Sequence, residues 1–397
     1  MQGWNGRFQG IGGGGYAAGT LSDAAPQTAL GYSTGATDAG HDTSSDAVED
    51  ASPWALLSEG NAVSRDFYGK RVEFSYWNGC STGGREGLAI AQYYPSDYDG
   101  IIANAPAIQW NDFTPAQQWP YTVQNNEGYA PSPSEFQAAV TAAVEACDGL
   151  DGFLDGIISA PALCDFTAQH LVGSSLSCSG TSSCTFSQQA ADVIDKIWQG
   201  PRTPEEFTDF FLQGHLQYDS VIGDGSPNLR PFKEHGGKMI TWQGLADQLI
   251  MPQGTQLYYD RIRSLDNSVH DFYRQFYSSG VGHCGGGIGV TPTHQLEQLR
   301  AWVENGTAPD LLQAGSAYPV NASSDLAVGS NNVRSQALCP YPQVSKYSGT
   351  GDPSSSRSYV CTNAQEWYDF HETGFDSDIC VRGPGWYGGG YDGSTAR

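Results

Sequence analysis

A β-rich run that stops at a turn, meets a serine and continues as a helix can be built in few ways. Residues 71–79 (Arg71-Val-Glu-Phe-Ser-Tyr-Trp-Asn-Gly79) favour a strand through their β-branched and aromatic side chains, and they close on Asn-Gly. Cys80 and Ser81 follow, and Gly83-Gly-Arg-Glu-Gly-Leu-Ala-Ile-Ala-Gln-Tyr93 then repeats its apolar residues at helical spacing. Strand, sharp turn, serine and helix is the order of a nucleophile elbow, which lifts a serine hydroxyl above a sheet. Cys80 has a counterpart in Gly282-His-Cys-Gly-Gly286, where Cys284 follows His283. If these two cysteines are bonded, their alpha carbons lie about 4.4–6.8 Å apart. Ser81 and His283 then come into the neighbourhood where a heavy-atom separation of about 2.6–3.2 Å permits proton transfer.

The remaining pattern supplies the parts such an elbow needs. Residues 1–20 read as a short strand entering a glycine-rich loop, Ile11-Gly-Gly-Gly-Gly15, and Tyr98–Ala107 reads as a buried strand. Core-like strands return at Gly237–Asp247, whose end presents Asp247, and at His270–Tyr277, which precedes the His283 loop. Leu296–Glu304 has the spacing of an amphipathic helix. The candidate nucleophile, acid and base thus run in the order Ser81, Asp247, His283, the order used by α/β-hydrolases. Backbone N–H groups of Gly13, Gly14 and Thr82 are the candidate oxyanion donors. A turn serine or a loop histidine means little alone, but three roles in this order, each at a strand end, point to acyl transfer.

Between Trp110 and His235 the character changes. Helical segments at Ser134–Ala146 and Gln188–Gln199 alternate with cysteine-containing loops and aromatic turns, as in an insertion over a core. The expected class is therefore α/β, an α/β-hydrolase core with an inserted lid domain. Its parts would be 1–107 (core, first part), 108–235 (lid), 236–380 (core, second part) and 381–397 (a glycine-rich tail expected to be disordered). Trp110, Phe113, Trp119, Tyr121 and Tyr129 are aromatics of the insertion that a phenolic acid pocket would use, although most such residues serve a core.

Composition narrows the class of partner. With 19 Lys+Arg against 43 Asp+Glu the chain of 397 residues has a formal charge of -24, so it repels phosphate backbones and a nucleic-acid partner is not expected. No stretch approaches the ~18 apolar residues of a membrane span, and Met1-Gln-Gly-Trp-Asn-Gly6 has neither the charged start nor the apolar run of a secretory leader. The nine cysteines contain no Cys-x-x-Cys pair, which weakens zinc and thioredoxin-type readings. Spacing suggests local loops of Cys147 with Cys164, Cys178 with Cys184 and Cys339 with Cys361, besides Cys80 with Cys284 and an odd Cys380. Connectivity does not follow from sequence alone, but disulfides imply an oxidising, extracellular compartment. Sequons at Asn305 and Asn321 agree with secretion.

A second constellation is Cys147-Asp-Gly-Leu-Asp-Gly-Phe-Leu-Asp-Gly-Ile-Ile158. Asp148, Asp151 and Asp155 alternate with glycines, as a tight oxygen-ligand loop for a hard cation requires. The spacing is not that of an EF-hand, and on spacing alone acidic turns with Asx-type bonds are favoured.

Asn78-Gly-Cys-Ser-Thr-Gly-Gly-Arg-Glu-Gly87, Gly244-Leu-Ala-Asp247 and Gly282-His-Cys-Gly-Gly-Gly287 resemble the motifs of the tannase/feruloyl esterase family. Trp4-Asn-Gly-Arg-Phe8, Gly31-Tyr-Ser-Thr34, Gly40-His41, Ala105-Pro106 and Trp302–Pro309 match as well, so the resemblance runs to about Cys361. It implies a secreted serine carboxylesterase with Ser81 as nucleophile, His283 as base, Asp247 as its orienter and Cys80–Cys284 as a staple. It also implies a structural Ca2+ in the lid, held by the side chains of Asp148, Asp151 and Asp155 and the carbonyls of Phe153 and Ile157, with Cys147–Cys164 closing the loop. The expected substrate is an aromatic ester. Feruloyl esters of plant cell-wall polysaccharide come first, because Tyr76-Trp77 and the Ala105–Trp110 stretch resemble the feruloyl branch; galloyl esters, or a truncated inactive binding protein, are the alternatives. The chain departs from the family pattern where it starts at Trp4, where only Ser58–Asp66 fills a longer helix, and between Gly200 and Phe210, where several dozen lid residues are absent.

Overall fold

A computed structural model describes residues 3–15, 17, 19, 24–36, 57–177, 184–200, 204–316 and 334–363. Six strands form one sheet: β1 (Arg7–Ile11), β2 (Ser33–Gly35), β3 (Phe74–Cys80), β4 (Gly100–Asn104), β5 (Lys238–Gly244) and β6 (Tyr273–Ser278). Their spatial order is β2-β1-β3-β4-β5-β6, and every neighbouring pair is parallel. A parallel sheet needs crossovers that cover both faces, so its inner strands are apolar along their length rather than alternating. β4, Gly-Ile-Ile-Ala-Asn, is buried at all five positions.

One face packs against α5 (Gln295–Asn305), the amphipathic helix expected over 296–304. Leu299 and Trp302 of that helix join Tyr76, Ile102, Ile240, Trp242 and Phe276 in a single cluster; each such side chain, fully buried, contributes about 1.5–3 kcal/mol. On the other face lies α1 (Thr82–Tyr93), buried from Thr82 through Ala91. The Trp77 indole donates to the Gly83 carbonyl at 2.9 Å and its ring stands edge-on to Tyr98, 5.8 Å between centroids. Arg85, fully buried, forms an ion pair with the equally buried Asp224. Parallel strands all present their carboxyl ends at one edge of the sheet, the edge where open α/β sheets carry their sites. Ser81 follows the end of β3, Asp247 the end of β5 and His283 the end of β6.

Clustering of backbone contacts divides the chain into two compact units. One comprises Met1–Gln109, Val144–Cys164 and Asp224–Tyr368; the other includes Trp110–Ala143 and Asp165–Gly223. The described residues of the second unit fall within the expected 108–235, while the acidic loop after Cys147 groups with the sheet-bearing unit. The physical reason is local. Cys147 is bonded to Cys164, which returns the chain, and Arg334 of the first unit reaches Asp155 at 2.8 Å.

Within the second unit, α2 (Pro133–Cys147) begins with a reciprocal capping box. The Glu135 carboxylate accepts the Ser132 N–H at 2.8 Å and the Glu135 N–H donates to Ser132 Oγ at 3.3 Å. α3 (Gln188–Gln199) is capped by Ser187, whose Oγ accepts from the Ala190 N–H at 3.0 Å. Ala139, Phe186, Ala190 and Ile194 form the small core of this unit. Further along, α4 (Pro204–Ile222) carries His215, whose Nε2 and Nδ1 each lie 2.7 Å from a carboxylate, those of Asp112 and Asp219. Both ring nitrogens must donate, and the Asp112 hydrogen bond holds the imidazolium up to about 9 against the opposing effect of burial, with Asp219 adding to it.

Candidate active site

The turn after β3 is built on glycines because backbones meet there. A Cβ on Gly79 would lie 2.3 Å from the Gly83 carbonyl oxygen, and one on Gly84 would lie 2.2 Å from that of Asn104. Ser81 is the residue that takes the strain, with φ 65 and ψ -122, outside the ordinary regions for a residue with a side chain. Its N–H donates to the Asn104 carbonyl at 3.0 Å, and its own carbonyl accepts from the Arg85 N–H at 2.9 Å. The elbow expected from the sequence is therefore formed, and the strain is held by α1 on one side and β4 on the other.

The glycine-rich loop lies over the first turn of α1. The Gly12 N–H donates to the Asn78 carbonyl at 3.0 Å, the Gly83 N–H to the Gly13 carbonyl at 2.9 Å, and Thr82 Oγ1 to the Gly15 carbonyl. A Cβ on Gly12 would lie 2.6 Å from the Gly83 Cα, so this approach requires glycine at both positions. Of the three expected oxyanion donors, Gly13 behaves differently: its N–H is aimed at Glu86 Oε2, 3.4 Å away. Glu86 is buried beneath the loop, and burial pushes its carboxyl up to about 8 despite the Gly13 N–H and the Arg85 charge. The other two expected donors are Gly14, in the loop, and Thr82, the first residue of α1. Sequence reasoning missed Glu86; the available signal was a carboxylate in the apolar first turns of the helix after Ser81.

His283 and Asp247 meet, His283 Nδ1 lying 2.9 Å from Asp247 Oδ2. The carboxylate is inaccessible while the imidazole remains 14% exposed, so the ring is gripped from behind and open in front. Asp247 accepts three further hydrogen bonds. The N–H groups of Leu249 and Ile250 reach Oδ1 at 2.9 and 2.8 Å, and Gln243 Nε2 reaches Oδ2 at 2.8 Å. Gln248 Oε1 accepts the His283 N–H at 3.2 Å, which fixes the backbone of the histidine loop. Neither Gln243 nor Gln248 was among the residues expected from sequence, although a glutamine at the end of an otherwise apolar strand is itself a signal.

Cys80 and Cys284 are bonded, with alpha carbons 6.0 Å apart. Cys284 has φ 55, and its Sγ lies 3.6 Å from His283 Nε2, so the imidazole nitrogen that Asp247 does not hold contacts the staple whose other end adjoins Ser81. Cys147–Cys164 and Cys339–Cys361 are bonded as their spacing suggested. Cys184 is in a disulfide, while Cys178, Cys380, Asn321 and the 381–397 tail lie outside the described residues. Asn305 is exposed at the end of α5.

The acidic loop forms a short helical turn at Asp148–Asp151. Its donors are of the right type for a hard cation, but they are committed to the protein. Asp148 accepts the N–H groups of Asp155, Gly156 and Ile157 at 2.9, 3.0 and 3.3 Å. Asp151 accepts that of Phe153 at 2.8 Å, and Asp155 pairs with Arg334. Among the described residues, no three acidic, histidine or cysteine side chains are gathered to hold a metal ion. Burial pushes Asp155 up to about 6, Arg334 opposing and Asp151 and Asp148 reinforcing, and burial raises Asp151 too. Two aromatics of the insertion serve its structure: Tyr129 packs on the core of its unit and donates to Glu135 at 3.0 Å, and Trp119 donates to the Lys196 carbonyl at 3.2 Å.

A family model described as tannase and feruloyl esterase matches residues 1–212 and 202–362. The chain belongs to the tannase and feruloyl esterase family. The two matches overlap at residues 202–212. A probable feruloyl esterase of Arthroderma benhamiae is 33% identical over 443 residues, covering 90% of this chain and 80% of that protein. That aligned span exceeds the chain's own 397 residues, so gaps fall on this side. The mono(2-hydroxyethyl) terephthalate hydrolase of Piscinibacter sakaiensis is 27% identical, covering 90% of this chain and 79% of its own length. Among solved structures, the tannin acyl hydrolase of Aspergillus niger superposes with a TM-score of 0.78 at 23% identity, covering 95% of this chain and 83% of that one. Feruloyl esterase B of Aspergillus oryzae superposes at 0.73 with 22% identity, covering 91% and 85%. The fold of this family member is thus that of an α/β-hydrolase, and the chain is a carboxylic ester hydrolase.

Proposed function

We propose that this chain hydrolyses esters of aromatic acids, feruloyl esters of plant cell-wall polysaccharide first among them, through an acyl-enzyme on Ser81. The observation that carries the reading is the disulfide: it ties the strained Ser81 elbow to the loop of a histidine already held by Asp247. In the first half-reaction His283 Nε2 takes the Ser81 hydroxyl proton as Oγ bonds to the ester carbonyl. The oxyanion is met by the N–H groups of Thr82 and Gly14, and the alcohol leaves with the proton from His283. Water then gives a proton to His283 and attacks the acyl group; as that adduct collapses, His283 returns the proton to Ser81 Oγ and the aromatic acid is released. The feruloyl preference over galloyl esters draws on the 33% identical relative, itself described as a probable feruloyl esterase.

The test is hydrolysis of methyl ferulate and methyl gallate in parallel, with a serine-directed fluorophosphonate. Faster turnover of the ferulate and labelling at Ser81 are expected. Faster turnover of the gallate would move the substrate class, and failure of all three would end the enzyme reading.

Secretion and glycosylation at Asn305 belong to the same proposal, supported by the disulfides and by the exposure of that sequon. No described helix is long and apolar enough to cross a membrane. Ca2+ binding at Asp148, Asp151 and Asp155 is also proposed; it requires Asp155 to exchange Arg334 for the ion, and mutual repulsion of the carboxylates favours that exchange. Calcium titration with a melting curve decides it, a Tm unmoved by excess Ca2+ or by chelator removing the site.

A further inference from the structure

We infer that Gln243 is a positioning residue for ester hydrolysis, holding Asp247 Oδ2 at the one point where it can serve His283. The inference rests on the Ser81–His283–Asp247 reading above and adds a fourth residue to it. Gln243 sits near the end of β5, fully buried, with every polar atom of its side chain occupied. Nε2 donates to Asp247 Oδ2 at 2.8 Å and to the Ile250 carbonyl at 3.2 Å; Oε1 accepts from Thr255 Oγ1 at 3.1 Å.

This arrangement fixes which way the amide faces. Turned over, Oε1 would confront two acceptors, Asp247 Oδ2 and the Ile250 carbonyl. The network therefore assigns the donor end to the carboxylate.

The four hydrogen bonds on Asp247 divide by function. Oδ1 is held by two backbone N–H groups, those of Leu249 and Ile250, which any residue at 249 and 250 except proline would supply. Oδ2 is shared between Gln243 and His283, so the side-chain donor that competes with histidine for the catalytic oxygen is Gln243. A neutral donor suits this place. It steers the carboxylate without cancelling its charge, which has to stabilise the imidazolium formed as His283 takes the serine proton. An arginine or lysine would neutralise that charge, and an apolar residue would leave Oδ2 free to turn from His283 while the buried Ile250 carbonyl and Thr255 hydroxyl lost partners.

The experiment compares Gln243→Met, which keeps the volume and removes the amide, with Gln243→Glu, which sets a second carboxyl against Oδ2 and draws that oxygen into a shared proton or repulsion, and with Asp247→Asn as the reference. Steady-state turnover of methyl ferulate and the rate of fluorophosphonate labelling at Ser81 are measured for each, with Tm alongside. Gln243→Met is expected to lower kcat and the labelling rate about 10- to 100-fold with KM within about twofold, and Gln243→Glu is expected to lower them further. Parental kcat and labelling with only a fall in Tm would overturn the inference and leave Gln243 a core residue. If Gln243→Met does not fold, Gln243→Asn takes its place: it keeps an amide but draws it back by one methylene from Asp247 Oδ2, and an undiminished labelling rate would overturn the inference equally. Should Asp247→Asn itself retain parental activity, the catalytic reading fails; should Asp247→Asn be inactive while Gln243→Met matches the parent, the role of Gln243 alone fails.

Discussion

Removing the staple separates two effects that one bond combines. In the variant Cys80→Ala with Cys284→Ala, the unfolded chain regains the freedom of a loop of 204 residues, and in the chain-entropy treatment this costs about 5 kcal/mol at 25 °C. The same treatment gives about 3 kcal/mol for Cys339–Cys361, whose separation is 22 residues. If both bonds acted only through the unfolded state, the two double variants would differ by about 2 kcal/mol in stability and not at all in the turnover of folded enzyme. The structure indicates otherwise for Cys80–Cys284. It joins the residue before Ser81 to the residue after His283 with alpha carbons 6.0 Å apart, and both Ser81 and Cys284 hold left-handed backbone that the surroundings must maintain. A displacement of about 1 Å between serine and base is enough for a loss near 100-fold.

The assay is therefore a urea melt for stability and kcat on methyl ferulate at low temperature, where each variant is folded by near-ultraviolet circular dichroism. The variant lacking Cys80–Cys284 should lose about 100-fold or more in kcat, whereas the variant lacking Cys339–Cys361 should stay within about twofold of the parent. Parental kcat in a folded Cys80→Ala, Cys284→Ala protein would refute the reasoning, since the bond would then contribute stability alone.

Other consequences concern buried charge. Asp224→Ala removes the carboxylate paired with the buried Arg85 and should cost about 3–5 kcal/mol in a urea melt; a loss below about 1 kcal/mol would mean that the pair contributes little to stability. Glu86 is raised in the folded protein to about 8, so the native state holds a proton that the unfolded state has lost; stability should fall as pH rises from about 4.5 to 8, and Glu86→Gln should abolish that slope while keeping an acceptor for the Gly13 N–H. A melt series of the two proteins across that window checks it, and identical slopes would contradict it. His215 is raised to about 9, so its contribution is fully present below the ordinary histidine value and is lost as pH rises through 9. His215→Ala should therefore destabilise the protein at pH 6 and make little difference at pH 10, and an equal loss at both would assign His215 to packing.

Much of the fold was legible because its signals are local. The strand before Ser81, the helix after it and the apolar strand at Gly100–Asn104 follow from period and turn chemistry, and helices were expected at 188–199 and 296–304 and occur at Gln188–Gln199 and Gln295–Asn305. That Ser81, Asp247 and His283 each follow the end of a strand was legible for the same reason. The acidic loop was not. Its type is plain in the sequence, but Arg334, far away along the chain, pairs with Asp155, and the loop groups with the sheet-bearing unit rather than with the insertion. A close backbone approach is announced in the sequence by the loop glycines, but the turning of the Gly13 N–H toward Glu86 beneath the loop is not.

The sequence by itself determined the order of elements, the elbow and the residue types that acyl transfer needs, because strand period, turn residues and cysteine neighbours are properties of short segments. Tertiary structure alone decided which partners each of those residues meets. The parallel pairing of β3, β4, β5 and β6 brings three strand ends to one edge, and only then do Gln243 and His283 converge on the same oxygen of Asp247. Hydrogen bonds between side chains of different segments leave no periodic trace in either segment, since each donor or acceptor would be equally at home facing water.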